Sequence, residues 1–192
     1  WCDDKGNVDF YDMKGIVEGL LEAMQVSDYT MTRSQQPYLH PGKSCDIVVN
    51  GEVIGSFGEV HPVVQENFEL DQVTYVLEMA VEPLVASATA VPQYKHLPKF
   101  PSMSRDIAVV VPAEVTNAEL EQVIRAHAGE LLQGVRVFDI YTGKQVAAGC
   151  KSMAFNLTYQ AADRTLTDAE VDASMKNVIA EVAEAYKAKL RD

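Results

Sequence analysis

Lys99 to Asp106, KFPSMSRD, decides the fold when it is read with the residues behind it. Asp106 to Val111 reads as a strand. Thr116-x-x-Glu119 then forms a capping box, and Leu120, Val123, Ile124, His127, Ala128 and Leu131 make the apolar stripe of the helix it opens. Val135 to Tyr141 predicts a second strand and Ser152 to Gln160 a third. Arg164 to Asp168, RTLTD, leads into another capping box, Thr167-x-x-Glu170. The helix behind it carries Val171, Met175, Val178, Ile179, Val182 and Tyr186 on one side. A short last strand over Ala188 to Arg191 completes the order βαββαβ. That order predicts a ferredoxin-like sandwich, with two helices on one face of an antiparallel sheet and the other face bare.

Upstream, Ser87 to Pro101 holds small residues and three prolines without sustained periodicity, the signature of a boundary. The expected division is a first domain over 1–91, a linker over 92–97 and a second domain over 98–191. In the first domain, Phe10 to Met24 predicts a helix capped by Asp9, with Met13, Ile16, Val17, Leu20, Leu21 and Met24 on its buried face. Asn50-Gly51 between DIVV and EVIG signals a hairpin. Pro62 starts a short helix, Val73 to Met79 alternates as a strand, and Pro83 to Ala88 adds a helical turn or two. The fold class is α+β.

Composition excludes several functions. No run of about 18 apolar residues is present, so no helical membrane span is expected, and the acidic opening WCDDKG does not resemble a signal peptide. The chain begins at Trp1 rather than Met, which predicts a piece cut from a longer chain. The 3 cysteines (Cys2, Cys45, Cys150) form no C-x-x-C and predict free thiols in a reducing cytoplasm. The 4 histidines (His40, His61, His96, His127) lack metal-ligand spacing, so no metal site is expected. The net charge of −12 argues against non-specific nucleic-acid binding. Residues 1–91 carry 4 Lys+Arg against 15 Asp+Glu, whereas residues 92–192 carry 12 against 13. The second half can therefore present a locally basic edge from Lys95, Lys99, Arg105, Lys144, Lys151 and Arg164.

Strand alternation assigns faces in the second domain. Met153, Phe155, Leu157 and Tyr159 point to the helices, as do Ile107, Val109, Val111, Phe138 and Ile140. The bare face then holds Ala108, Val110, Val137, Asp139, Tyr141, Ser152, Asn156 and Thr158. Such a set suits a single-stranded base. Tyr141 offers a stacking plate. Asp139 only accepts hydrogen bonds, so it selects a base edge with adjacent N–H donors, such as guanine's. On spacing alone, Asp139 supporting a turn and Tyr141 serving as half-buried filler account for the same residues. Lys99, Arg105, Lys151 and Arg164 are candidate phosphate contacts, and the arginines are also candidates for pairing with neighbouring aspartates. Glu59 beside His61 shows no nucleophile or third partner, which disfavours a hydrolytic dyad. Gly42-Lys43-Ser44 lacks the rest of a phosphate loop.

KFPSMSRD, FDIYTG (Phe138 to Gly143), Lys151-Ser152 and RTLTD together resemble the ferredoxin-fold anticodon-binding domain that ends bacterial phenylalanyl-tRNA synthetase beta subunits. VDFYDMKGIVEGLLEAM, YLHPGKS and GSFGEVHP resemble the catalytic-core-like domain just upstream in the same family, so the resemblance spans essentially the whole chain. It implies a class II synthetase-like antiparallel-sheet domain without catalytic residues, followed by the ferredoxin-like sandwich. It further implies a cytoplasmic α₂β₂ ligase that joins phenylalanine to its tRNA with ATP and magnesium, the chemistry lying in the alpha subunit. No cofactor is implied for this chain, nor DNA or a membrane as partner. Carried over by motif, Asp139, Tyr141 and Ser152, with Ala108 nearby, would read the first anticodon base. Two rival readings belong to other classes: a ferredoxin-like small-molecule regulatory module, and a pure assembly scaffold.

Overall fold

A computed structural model describes residues 8–89, 91, 94, 97–143 and 146–191. The chain forms two units, Trp1–Tyr94 and Lys95–Asp192. Each contains one antiparallel four-stranded sheet, so the class is mixed α+β.

In the first unit the elements are α1 (Phe10–Ala23), β1 (Tyr29–Arg33), β2 (Leu39–Val49), β3 (Glu52–Val60), α2 (Pro62–Asn67), β4 (Tyr75–Met79) and α3 (Val81–Ser87). The strands lie in sequence order. The Asp9 carboxylate accepts from Tyr11 N at 2.7 Å, and Asp12 accepts from Asp9 N at 2.7 Å, which closes the cap of α1. Val17 and Leu21 are fully buried against a core that includes Ile47, Ile54 and Phe57. The apolar stripe of α1 is wider than the surface it covers, because Ile16 and Leu20 remain 39% and 36% exposed. At the β2–β3 turn, Asn50 and Gly51 take φ of 52° and 82°, the positive pair that a two-residue hairpin of matching twist requires.

The second unit comprises β5 (Met103–Pro112), α4 (Asn117–His127), β6 (Leu132–Tyr141), β7 (Cys150–Tyr159), α5 (Asp168–Tyr186) and β8 (Lys189–Leu190). The sheet order β6-β7-β5-β8, antiparallel throughout, is the ferredoxin-like arrangement. Its core joins Ile107, Val109 and Val111 of β5 to the buried side of β7 and to Leu120, Ile124, Val171, Val178 and Val182 of the helices. Both capping boxes form at Thr116 and Thr167.

The second cap has a pH signature. The Glu170 carboxylate accepts from Arg164 Nη2 at 2.6 Å, from Thr167 N at 2.9 Å and from Thr167 Oγ1 at 2.7 Å. Hydrogen bonding to Arg164 first, then to Thr167, lowers its pKa from 4.5 to about 2. The folded value lies below the unfolded one, so the stabilisation is present above about 4.5 and is lost as pH falls through about 2. Melting temperature is therefore expected to fall across that acid window, and Glu170→Gln is expected to flatten this part of the profile. Melts of both proteins across the same pH series check it, and identical slopes would contradict it.

Candidate nucleic-acid interface

Both helices of the second unit pack on the side of the sheet that carries Met153, Phe155, Leu157 and Tyr159. The opposite side is defined by register. Ser152, Ala154, Asn156 and Thr158 of β7 stand there, facing Val110, Ala108, Asp106 and Ser104 of β5.

On β6 one irregularity decides which side chains join them. Val137 pairs with Phe155, and Asp139 pairs with Ala154, leaving Phe138 as an extra residue. A bulge of this kind re-aims side chains. Val135 and Val137 pack on the core, while Phe138 is 53% exposed. Beyond the bulge, Asp139 stands opposite Ala154 and Tyr141 opposite Ser152, both on the open side. This corrects the alternation count for Val137, which it put outside. Ile140 pairs with Met153 and so keeps the helix side, but at the edge of the sheet it stays 52% exposed.

Tyr141 does not stand upright. The Arg191 guanidinium lies 4.6 Å from its ring centroid, and Arg191 N donates to Ala108 O at 2.9 Å, outside β5. The two side chains meet on the open side of the sheet, and Ser152, opposite Tyr141 in the register, is only 2% exposed. Gly143 permits this pose, since a Cβ there would lie 2.7 Å from the ring's Cε2 and closer still to Cζ and Oη. Asp139 is exposed. Ala108, on β5 beyond Ala154, is half-buried. Asn156 Nδ2 donates to Asp106 Oδ1 at 2.7 Å. Arg136, opposite Asn156, is exposed and makes no ion pair among the described residues.

The four candidate cations lie elsewhere. Arg105 pairs with Leu157, hence faces the helices, where it meets Asp168 directly and Asp172 at 3.6 Å. Arg164 binds Asp163 at 3.0 Å and Glu170 at 2.6 Å. Lys151, opposite Val111, also takes the helix side, close enough to Glu119 to lower that carboxyl's pKa after its hydrogen bonds to Thr116. Lys99 lines a cleft of about 320 Å³ with Gln133 and Gln160, at the end of β6 away from Tyr141. Lys95 and Lys144 lie outside the described residues, as does Cys2. Among the described residues, the cations that share the open side are Arg136, Lys189 and Arg191. Sequence reading missed them because Arg136 sits upstream of the bulge and the other two follow the last helix.

In the first unit the polar residues have structural partners. Glu59, 6% exposed, accepts from Lys43 Nζ at 2.6 Å and Tyr75 Oη at 3.2 Å. Burial works to raise its pKa, but hydrogen bonding to Lys43 and Tyr75 outweighs it and the net shift is downward. His61 Nδ1 accepts from Val63 N at 3.2 Å and so caps α2. Among the described residues, no group of three or more His, Cys, Asp or Glu could hold a metal ion. Among them, too, no helix is long and apolar enough to cross a membrane.

Comparison with known proteins agrees with this geometry. Residues 98–191 match the ferredoxin-fold anticodon binding domain, and residues 1–81 match the phenylalanyl tRNA synthetase beta chain CLM domain. The chain is 44% identical over 191 residues to the phenylalanine–tRNA ligase beta subunit of Symbiobacterium thermophilum, covering 100% of this chain and 21% of that one. It is 41% identical over 192 residues to the beta subunit of Bacillus subtilis, covering 100% of this chain and 24% of that one. The chain thus spans between a fifth and a quarter of the length of these relatives.

Proposed function

The chain belongs to the phenylalanine–tRNA ligase beta-subunit family, and from that premise we propose that its second unit binds the anticodon of tRNA(Phe) on the open sheet face. The carrying observation is that Asp139 and Tyr141 share that face, beside Ala108 and Ser152. A base stacks on Tyr141 in place of the Arg191 guanidinium, which passes to a backbone phosphate. Asp139 accepts from the N–H donors of a guanine edge, and Ser152 becomes accessible as the ring shifts.

The first unit is a non-catalytic scaffold for an alpha-subunit partner in a cytoplasmic α₂β₂ ligase. Aminoacylation, with its ATP and magnesium, belongs to the alpha subunit. The first unit's own residues do not suit a triphosphate. Of its described cations, Lys14 is paired with Glu18 and Lys43 with Glu59, leaving Arg33 in a net charge of −11 over residues 1–91.

The test uses anticodon stem-loops with guanine or adenine at the first anticodon position, titrated into the 192-residue chain at low salt. The wild type is expected to prefer guanine by about tenfold or more. Asp139→Asn offers a donor where the carboxylate only accepted, and is expected to bring the ratio close to one with an unchanged melting temperature. A guanine preference that survives the substitution sets the Asp139 assignment aside.

A further inference from the structure

Upstream of the Asp139 and Tyr141 rows, the open side carries a further row. Arg136, Asn156 and Asp106 stand opposite one another on β6, β7 and β5. A Cβ on Gly134 would lie 3.9 Å from Thr158 Cβ, so Gly134 points to the open side, and Arg136 two residues on points with it. Arg136 and Asp106 are exposed, with Asn156 half-buried between them. Asn156 Nδ2 donates to Asp106 Oδ1 at 2.7 Å. A carboxylate only accepts, so it fixes which end of the amide is nitrogen. The amide keeps its second N–H and its Oδ1, whose bond from Thr158 Oγ1 is a long 3.4 Å. A fixed donor beside an acceptor is the pattern with which asparagine reads adenine. Adenine offers its amino group beside a ring acceptor on both free edges, so it fits in either orientation. Guanine's Hoogsteen edge has acceptors alone. Along β7, Asn156 lies four residues from Ser152, roughly 13 Å, too far for one base to reach both. Phenylalanine codons begin with two uracils, so the bases that follow the first anticodon position are adenines.

We propose that Asn156 is a second base reader, which pairs with the amino edge of one of those two adenines, and that Asp106 is its positioning residue. The proposal rests on the open face being the anticodon interface. For the fold alone, a hydrogen bond between two such side chains adds little, and a pair of threonines would join the strands as well.

The experiment titrates the 192-residue chain and its Asn156→Ala and Asp106→Asn forms with tRNA(Phe) anticodon stem-loops. The second and third anticodon positions carry adenine or, one at a time, purine, which lacks the amino group. The wild type is expected to bind the adenine loop about tenfold more tightly than the loop with purine at one of the two positions. Asn156→Ala is expected to bring that ratio close to one. Asp106→Asn should lower it, because an amide there no longer fixes the orientation of Asn156. Both forms should keep the wild type's preference for guanine at the first position. A wild-type ratio near one at both positions, or a ratio that survives Asn156→Ala, overturns this proposal while the guanine preference stands. So does a loss from Asn156→Ala that is equal for adenine and purine loops, since a structural residue acts on every RNA alike. A ratio unchanged by Asp106→Asn removes Asp106 from its role. If the wild type does not bind, or shows no preference for guanine, the anticodon reading of the face falls with it.

Discussion

Tyr141→Ala is expected to weaken binding of the tRNA(Phe) anticodon stem-loop by about 1–3 kcal/mol, or roughly 5- to 150-fold. The melting temperature of the second unit should hardly change. The ring lies on the open side, so no buried cavity results from its removal. What the fold loses is the contact with Arg191 at 4.6 Å, a cation–π pair of about 0.5–1 kcal/mol at such a site. Affinity and stability therefore separate: a large change in the first with a small one in the second is what a binding residue shows. A fall in melting temperature comparable to the fall in affinity would mean that Tyr141 is a packing residue. Calorimetric titration and a thermal melt on the same sample give both numbers.

Phe155→Ala should do the reverse. Phe155 is fully buried at the centre of β7, between Met153 and Leu157, and its core is built entirely from residues of the second unit. Truncating such a phenylalanine costs about 3–5 kcal/mol through lost burial and the cavity left behind. The unfolding transition of the second unit is expected to drop by that amount in a urea titration, and RNA binding to fall only where unfolding is populated. A loss under about 1 kcal/mol would show that the core can collapse around the gap.

Much of this fold is legible because its punctuation is chemical. Two capping boxes, an Asn-Gly turn and the apolar stripes of α4 and α5 each name an element from local residues alone. β1 is less legible: Thr30 and Thr32 alternate with Met31 in a short polar stretch, and its place in the sheet comes from long-range pairing with β2. The width of the α1 stripe misleads for a related reason. Periodicity finds every apolar residue of a face, whereas burial depends on how much surface the neighbouring sheet offers.

The candidate site was partly readable. Asp139 and Tyr141 reach the open side whether the strand is counted back from Tyr141 or read in the structure, because the extra residue lies just before them. The bulge left no mark in the sequence, neither a glycine nor a break in apolar character, so alternation put Val137 on the wrong side. For the cations the same alternation, carried one residue further, was informative. Lys151 and Arg105 precede open-side residues by one position and so face the helices, while Arg191 reaches Tyr141 only through the pairing of the chain end with β5.

The most direct measurement is residue-resolved mapping of amide chemical shifts as an unlabelled tRNA(Phe) anticodon stem-loop is added to the isotope-labelled chain. The predicted result is a cluster of perturbed amides at Ala108, Phe138, Asp139, Tyr141, Ser152 and Arg191, with α4 and α5 unchanged. Saturable binding whose perturbations fall on α4 and α5, with those amides still, would contradict the account at its root.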